Sequence, residues 1–402
     1  MIVSRVRGMR DFVGQAKVER DQVGQRILQL ARSWGYEPVE TPTLEYLELF
    51  QSKVGTSLLD AVFSFEDRAG RRLILSPELT APTTRLMLSQ LVHRPLPLRL
   101  CYLGSCYRYE NPQHGRYRQF TQFGTEIFVS AKDQSTDAII DLCLLAAEIF
   151  RTFKLRILMK FGDVRVIHAL VQDQSEHIRQ EIYHALDRRD TEGFERLCER
   201  FGIAERFQTL FQTPQTDPRL TELQSLVHTL QLIGIDAQID LRVIRGLDYY
   251  SGIVFEAFDQ NGSQILGGGE YTLFEDQMRV QGLNCRAIGF GIGFDRLINL
   301  IAPDWFGSGV PKLRIRIGTI VTHLPLVRAL QAYGIMIVPM YETQPFRSTR
   351  TEPTFERVFD RWVLKQNNTQ TSFDAAILDH EPIEKRLITE IINTILSNRI
   401  PD

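Results

Sequence analysis

The chain has 402 residues, 43% hydrophobic and 24% charged; this excludes a disordered polymer and predicts two or three folded modules, since single cores stop growing at roughly 250–300 residues. Lys plus Arg number 47 against 49 Asp plus Glu, a net charge of −2, so no global positive field advertises nucleic acid, although a local basic face fits within a neutral protein. No stretch approaches the ~18 continuous apolar residues of a membrane span, no apolar h-region opens the chain, and Cys101, Cys106, Cys143, Cys198 and Cys285 form no C-x-x-C pair, which predicts a cytoplasmic protein in a reducing compartment.

Apolar positions at Val23, Ile27, Leu28, Leu30 and Ala31 recur at near-helical spacing, with Gly35 placed to end the helix. Short runs rich in Val, Ile, Phe and Tyr at 61–65, 72–76, 98–110 and 117–129 then predict strands of an antiparallel sheet. Residues 136–153 predict a helix and 154–161 a further strand. The charged, helix-forming stretch 164–235, with Pro214 and Pro218 at a loop, predicts a helical insertion. Strand character returns at 236–266, before a glycine run at 267–269 and a strand-to-helix passage at 285–301. Residues 302–311 have linker composition. Beyond them, strands are expected at 313–321 and 335–341 and helices at 323–333, 353–366 and 382–398, a small α/β module.

Residues 107–126 read YRYENPQHGRYRQFTQFGTE, two Arg-rich aromatic strand segments around a polar loop at 111–115. Strand alternation puts Arg108 with Glu110, and Gln122 with Glu126, on a shared face. An Arg there offers a bidentate fork for phosphate and a carboxylate can position an amine, while a salt-bridged surface hairpin would carry the same residues. The string closely matches the second conserved motif of class II aminoacyl-tRNA synthetases in its histidyl form, RxERPQxGRYRQFxQ. Residues 244–256, IRGLDYYSGIVFE, are similar to that family's RGLDYYTGxVFE; read without the family, they are a turn leading into a strand whose tyrosines fill a core. Residues 287–297, AIGFGIGFDRL, resemble the third class II motif, a glycine-rich strand feeding a helix, and RGMRDF at 7–12 with TPTLEYLELF at 41–50 resembles the first. SPELT at 76–80 corresponds to the RPEGT loop. The resemblance to the histidyl-tRNA synthetase family spans residues 5–301, with all motifs in order.

That resemblance implies an α+β architecture with the class II catalytic fold, an antiparallel sheet flanked by helices, over residues 1–303, including a helical insertion near 164–235, and a small α/β domain at 312–402, at the place of the family's anticodon-binding domain and divergent from it. It implies activation of histidine by ATP with Mg2+, followed by transfer to tRNA, in a homodimer paired through the first motif. Arg245 and Arg108 take catalytic positions, Arg245 against the α-phosphate, where developing charge calls for a fixed guanidinium. Glu78, Thr80, Gln122, Glu126, Tyr249 and Tyr250 occupy histidine-binding positions, and Arg108, Glu110, Arg116, Phe120 and Arg296 ATP-binding ones. No protein-held metal, nucleophilic triad or Walker-type loop is expected.

The chain departs from the family pattern at several places. Ser76 and Leu79 replace the Arg and Gly of the substrate loop, so that Leu79 is expected to add bulk beside the ammonium. GGGRYD becomes GGGEYT, with Glu270 and Thr272 replacing a cation and an acid, and the third motif carries Asp295 for Glu. Residues 313–402 lack the family's glycine-arginine segment and glutamine-lysine helix. These departures open a second reading, a non-catalytic regulatory subunit of ATP phosphoribosyltransferase, whose substrate loop often has the form PELTA seen at 77–81. The intact Arg245 and the run Gly115 to Phe120 argue for the enzyme.

Overall fold

The computed structural model describes residues 4–51, 61–110, 117–212, 220–244, 249–306, 312–316, 328, 330–331, 336–340, 354–358, 361–366 and 369–374. The chain divides into two compact units, Met1–Trp305 and Phe306–Asp402.

Helix α1 (Gln15–Ser33) buries Val23, Ile27, Leu30 and Ala31, one stripe at helical period facing the sheet. Gly35, at φ 81°, ends it in a left-handed turn: its N–H donates to Arg32 O and that of Tyr36 to Ala31 O, a Schellman closure. The helix begins eight residues before Val23, the first position of the periodicity that revealed it, because its first turns are exposed and largely polar and carry no apolar stripe.

Four short strands follow or flank it: β1 (Glu37–Pro38), β2 (Leu44–Tyr46), β3 (Ser64–Glu66) and β4 (Arg72–Leu75). The other strands of this unit are β5 (Leu98–Tyr107), β6 (Gln119–Ser130), β7 (Leu158–Asp163), the short β8 (Ala237–Ile239), β9 (Tyr250–Phe258), β10 (Gln264–Tyr271) and β11 (Cys285–Gly293). Among the described residues they form a three-stranded sheet, β2-β4-β3, and an eight-stranded sheet in the order β1-β5-β6-β11-β10-β9-β7-β8. Pairing from β5 through β7 is antiparallel, whereas the edge pairs β1–β5 and β7–β8 are parallel.

One face of the large sheet is a packed core. Across adjacent strands Phe290, Gly268, Phe255 and Phe161 stand in register, with Phe161 stacked on Phe255 at 5.7 Å and Phe123 tilted against Phe290 at 6.3 Å. Each fully buried ring contributes about 1.5–3 kcal/mol of transfer free energy. The other face carries the site.

Of the helices, α2 (Glu48–Gln51) and α3 (Thr80–Leu86) lie near the small sheet and α4 (Ser135–Thr152) packs against β6 and β11. The insertion consists of α5 (Val164–Val171), α6 (Glu176–Asp187), α7 (Thr191–Arg200), α8 (Ala204–Gln212) and α9 (Thr221–Leu232). Three of these start on side-chain caps legible in the sequence: Asp163, Ser175 and Asp190 accept from Arg165, Ile178 and Gly193 N–H. Its proline loop, at 213–219, lies outside the described residues. Helices α10 (Glu275–Val280) and α11 (Phe294–Leu300) complete the first unit.

In the second unit β12 (Lys312–Arg316), β13 (Met336–Met340), β14 (Thr354–Val358), β15 (Arg361–Gln366) and β16 (Thr369–Asp374) form a mixed sheet, β13-β12-β14-β15-β16. This corrects the helix expected at 353–366, which is the antiparallel hairpin β14–β15 extended by β16. Alternation is the reason: register places Leu313, Ile315, Phe355, Trp362, Leu364 and Phe373 on one face, a period of two that spaced charges disguise as a helical pattern. The helix expected at 382–398 lies outside the described residues, as do linker residues 307–311.

Candidate active site

The open face of the large sheet is cleared by glycines. Gly104, Gly124, Gly289, Gly291 and Gly293 lie on it in register with Tyr102, Gln122 and Glu126, and a Cβ on Gly124, Gly291 or Gly289 would strike the Tyr102 phenol, the Gln122 amide or the Glu126 carboxylate respectively. Glycine therefore lets three polar side chains lie flat across neighbouring strands.

Those side chains form one hydrogen-bonded network. Tyr102 Oη donates to Glu126 Oε1 at 3.0 Å and Tyr271 Oη to Glu126 Oε2 at 2.8 Å. Gln122 Nε2 reaches Tyr102 Oη at 3.3 Å, Thr80 Oγ1 lies 3.4 Å from the same oxygen, and Thr84 Oγ1 lies 3.4 Å from Tyr271 Oη. The Cys106 thiol, 3.4 Å from Gln122 Oε1, orients the amide as a donor toward Tyr102; burial pushes that thiol well up, so it stays protonated. Glu78 caps α3, accepting from Thr80 N at 2.6 Å and Ala81 N at 2.9 Å.

Two buried carboxyls within one network disfavour their charged forms. Burial pushes Glu126 up to about 8 against the hydrogen bonds of Tyr271, Thr80 and Tyr102, and Glu78 adds to the rise. Burial also raises Glu78, opposed by the Ala81 and Thr80 N–H groups and by the Arg108 charge.

Thr80, Gln122, Glu126, Glu78 and Tyr249 thus converge, while Tyr250 sits opposite Tyr271. Tyr249 is buried, its ring 4.9 Å from Tyr250 and 5.5 Å edge-on to Tyr271, so it supports the pocket as part of a packed aromatic cluster. Arg108 stands at the mouth, its Nε donating to Pro77 O at 2.9 Å, its Nη1 4.0 Å from Glu110 and its guanidinium 5.2 Å over Phe120. Arg296 lies beyond Gly293 on α11, its Nη1 donating to Gln264 O at 2.8 Å. Arg116 and Arg245 lie outside the described residues, as does the loop at 111–115.

Three network members escaped the sequence: Tyr102, Tyr271 and Thr84. Tyr271 directly follows the glycine run, and that adjacency was the available signal; Tyr102 and Thr84 look like ordinary strand and helix residues until the register is known.

The departures also find places. Leu79 is packed against Tyr102 and Cys106, over Gly104, which has no side chain to oppose it; its bulk is accommodated by the sheet. Ser76 is buried, with Oγ 3.1 Å from Thr43 O. Glu270 is in register with Ile288 and Ile127, so it faces away from Glu126, 3.8 Å from Arg286. Asp295 accepts from Arg10, from Arg20 at 2.6 Å and from Thr121 N at 2.8 Å, tying the N-terminal segment to α11 and β6.

The family model described as histidyl-tRNA synthetase matches residues 8–297. The histidine–tRNA ligase of Methanosarcina acetivorans is 34% identical over 75% of this chain and 76% of its own. Among solved structures, an ATP phosphoribosyltransferase regulatory subunit/histidyl-tRNA synthetase from Bacillus halodurans superposes with a TM-score of 0.72 at 23% identity, covering 87% of this chain and 95% of that one. The histidyl-tRNA synthetase of Nostoc sp. PCC 7120 gives 0.70 at 18% identity over 98% and 100%. The last two carry the fold, and the family model and the archaeal relative carry the kinship: this chain belongs to the histidyl-tRNA synthetase family.

Proposed function

We propose that the protein activates histidine with ATP and transfers it to tRNA. The observation that carries the reading is the convergence of Thr80, Gln122 and Glu126 on the Tyr102 phenol over a glycine-cleared sheet face, with Glu78 bonded to the Thr80 N–H beside them. Glu78, Thr80 and Gln122 would hold the substrate ammonium, and Glu126 with Tyr249 and Tyr250 the imidazole. Arg108, Glu110, Arg116, Phe120 and Arg296 would hold ATP.

The chemistry then follows from charge. A histidine carboxylate oxygen attacks the α-phosphorus, forming the mixed anhydride, and the bond to the bridging oxygen breaks to release pyrophosphate. Arg108 neutralises phosphate charge at the mouth and Arg245 the charge that develops at the α-phosphate, positioning and electrostatics being most of what such a transfer needs. Magnesium would accompany the triphosphate and screen its charge, and Glu110, partly open beside Arg108, has the carboxylate chemistry to help hold it. The acceptor hydroxyl of tRNA would then attack the acyl carbon and displace AMP.

The second unit would meet tRNA. Backbone register places Lys312, Arg314, Arg316, Arg361 and Lys365 on the sheet face opposite its apolar one, with Glu356 and Asp374. Those cations, on a chain of near-zero net charge, would supply local contacts to phosphate. The test is charging of tRNA transcripts with labelled histidine by the full chain. Histidine esterified to its cognate transcript and released by mild base is the expected result; histidine-dependent adenylate formation without any charging would contradict the acceptor half.

A further inference from the structure

Between the insertion and the start of α11 runs a short chain of partly buried polar contacts. Glu256 lies on the open sheet face, in register with Gly267, Gly291 and Gly124, and is only 5% exposed. One carboxylate oxygen, Oε2, accepts from Arg189 Nη2 at 2.7 Å, and the other, Oε1, accepts from Gln264 Nε2 at 2.7 Å. The backbone carbonyl of that same Gln264 accepts from Arg296 Nη1 at 2.8 Å. Arg189, Glu256, Gln264 and Arg296 are therefore linked, from the corner of the helical insertion to the arginine of the third motif.

The corner is built for this contact. Arg189 sits between α6 and α7 with φ 56°, a left-handed conformation that costs a non-glycine residue about 1–2 kcal/mol. Glycine or asparagine would fill such a turn more cheaply, yet the position carries a guanidinium that pairs with Glu256 and stands 4.6 Å over the Phe258 ring. Around it is a cavity of about 200 Å³ lined by Lys160, Asp240, Arg242, Phe194 and Phe258. The corner thus adds an ion pair and a ring contact to the buried Ala185, Leu186 and Phe194 on either side of it, with space beside it.

We propose that Arg189 is a positioning residue for Arg296, acting through Glu256 and Gln264, so that the seating of the insertion on the sheet sets how tightly the site holds nucleotide. The inference rests on the reading of Arg296 as an ATP contact. Its physical basis is the cost of taking a cation from a buried carboxylate that keeps its other contacts. Without Arg189, Glu256 relaxes toward solvent or takes a proton, Gln264 loses its side-chain anchor, and the carbonyl that fixes the Arg296 guanidinium shifts with it.

A double-mutant cycle on ATP affinity, measured by calorimetry with ATP and magnesium alone, separates this role from a merely structural one. Arg189→Ala is expected to weaken ATP binding about tenfold, while the KM for histidine in pyrophosphate exchange stays within about twofold of wild type. Arg189→Lys, which keeps the charge, should recover most of the loss. In an Arg296→Ala background, Arg189→Ala should weaken ATP no further. Equal effects in both backgrounds, or an ATP affinity untouched by Arg189→Ala in a variant whose thermal unfolding shows it folded, overturn the inference while leaving the activation reading intact. A folded wild-type chain that binds no ATP overturns the activation reading itself, and this inference with it. If Arg189→Ala does not fold, Arg189→Gln enters the same cycle.

Discussion

Glu126 is a carboxyl group buried between two phenols, and burial pushes it up to about 8 from an ordinary value of 4.5. A raised carboxyl takes up a proton on folding, so its contribution to stability is complete below about 4.5 and is lost as pH climbs through 8. Glu126→Gln keeps the shape and removes the titration. Melting temperatures of wild type should therefore fall relative to Glu126→Gln between these two pH values, and parallel curves would show that Glu126 does not titrate there. At this scale the family motifs made Glu78, Thr80, Gln122 and Glu126 legible, because their types and order survive in the linear string. They could not reveal Tyr102, whose role depends on lying over Gly124 one strand away. Nor could they show that Leu79 would be absorbed by Gly104, or that Glu270 points to the opposite face of the sheet from Glu126; both facts belong to register, which a one-residue slip would reverse.

Elements read well where burial is one-sided and poorly where charge interrupts it. Three of the insertion helices start on side-chain caps, Asp163, Ser175 and Asp190, and β6 announces itself by aromatic and β-branched content. The hairpin β14–β15 does not, because Glu356, Arg357, Arg361 and Lys365 dilute its alternation. Asp295 illustrates an element held from outside: two arginines and a strand N–H fix the start of α11, where sequence alone shows a conservative exchange. With Asp295 buried and Arg10 and Arg20 mostly so, removing the carboxylate strands two cations, for which the usual cost is about 3–5 kcal/mol. Asp295→Ala should lower chemical-denaturation stability by that order, and a loss under about 1 kcal/mol would mean solvent already satisfies the arginines.

For the whole molecule, we propose that the first unit pairs with a second copy through exposed apolar side chains. Val6, Phe12, Val13 and Val18 are exposed near the N-terminus, and so are Leu44, Tyr46 and Phe65 on the small sheet, where register sets Tyr46, Leu73 and Phe65 on one face. Clustered exposed apolar groups of this kind mark association sites, and a two-fold pairing would cover the same patch on each subunit. Light scattering at micromolar concentration should give the mass of two chains; a mass of one chain would remove the dimer. The central claim, that the glycine-cleared face binds histidine and activates it, is tested most directly by ATP–pyrophosphate exchange with each amino acid in turn. The expected result is exchange dependent on histidine above all others, reduced roughly 10²–10³-fold by Arg245→Ala in a folded protein, the scale for losing a transition-state donor. Exchange no higher with histidine than without amino acid would contradict the claim.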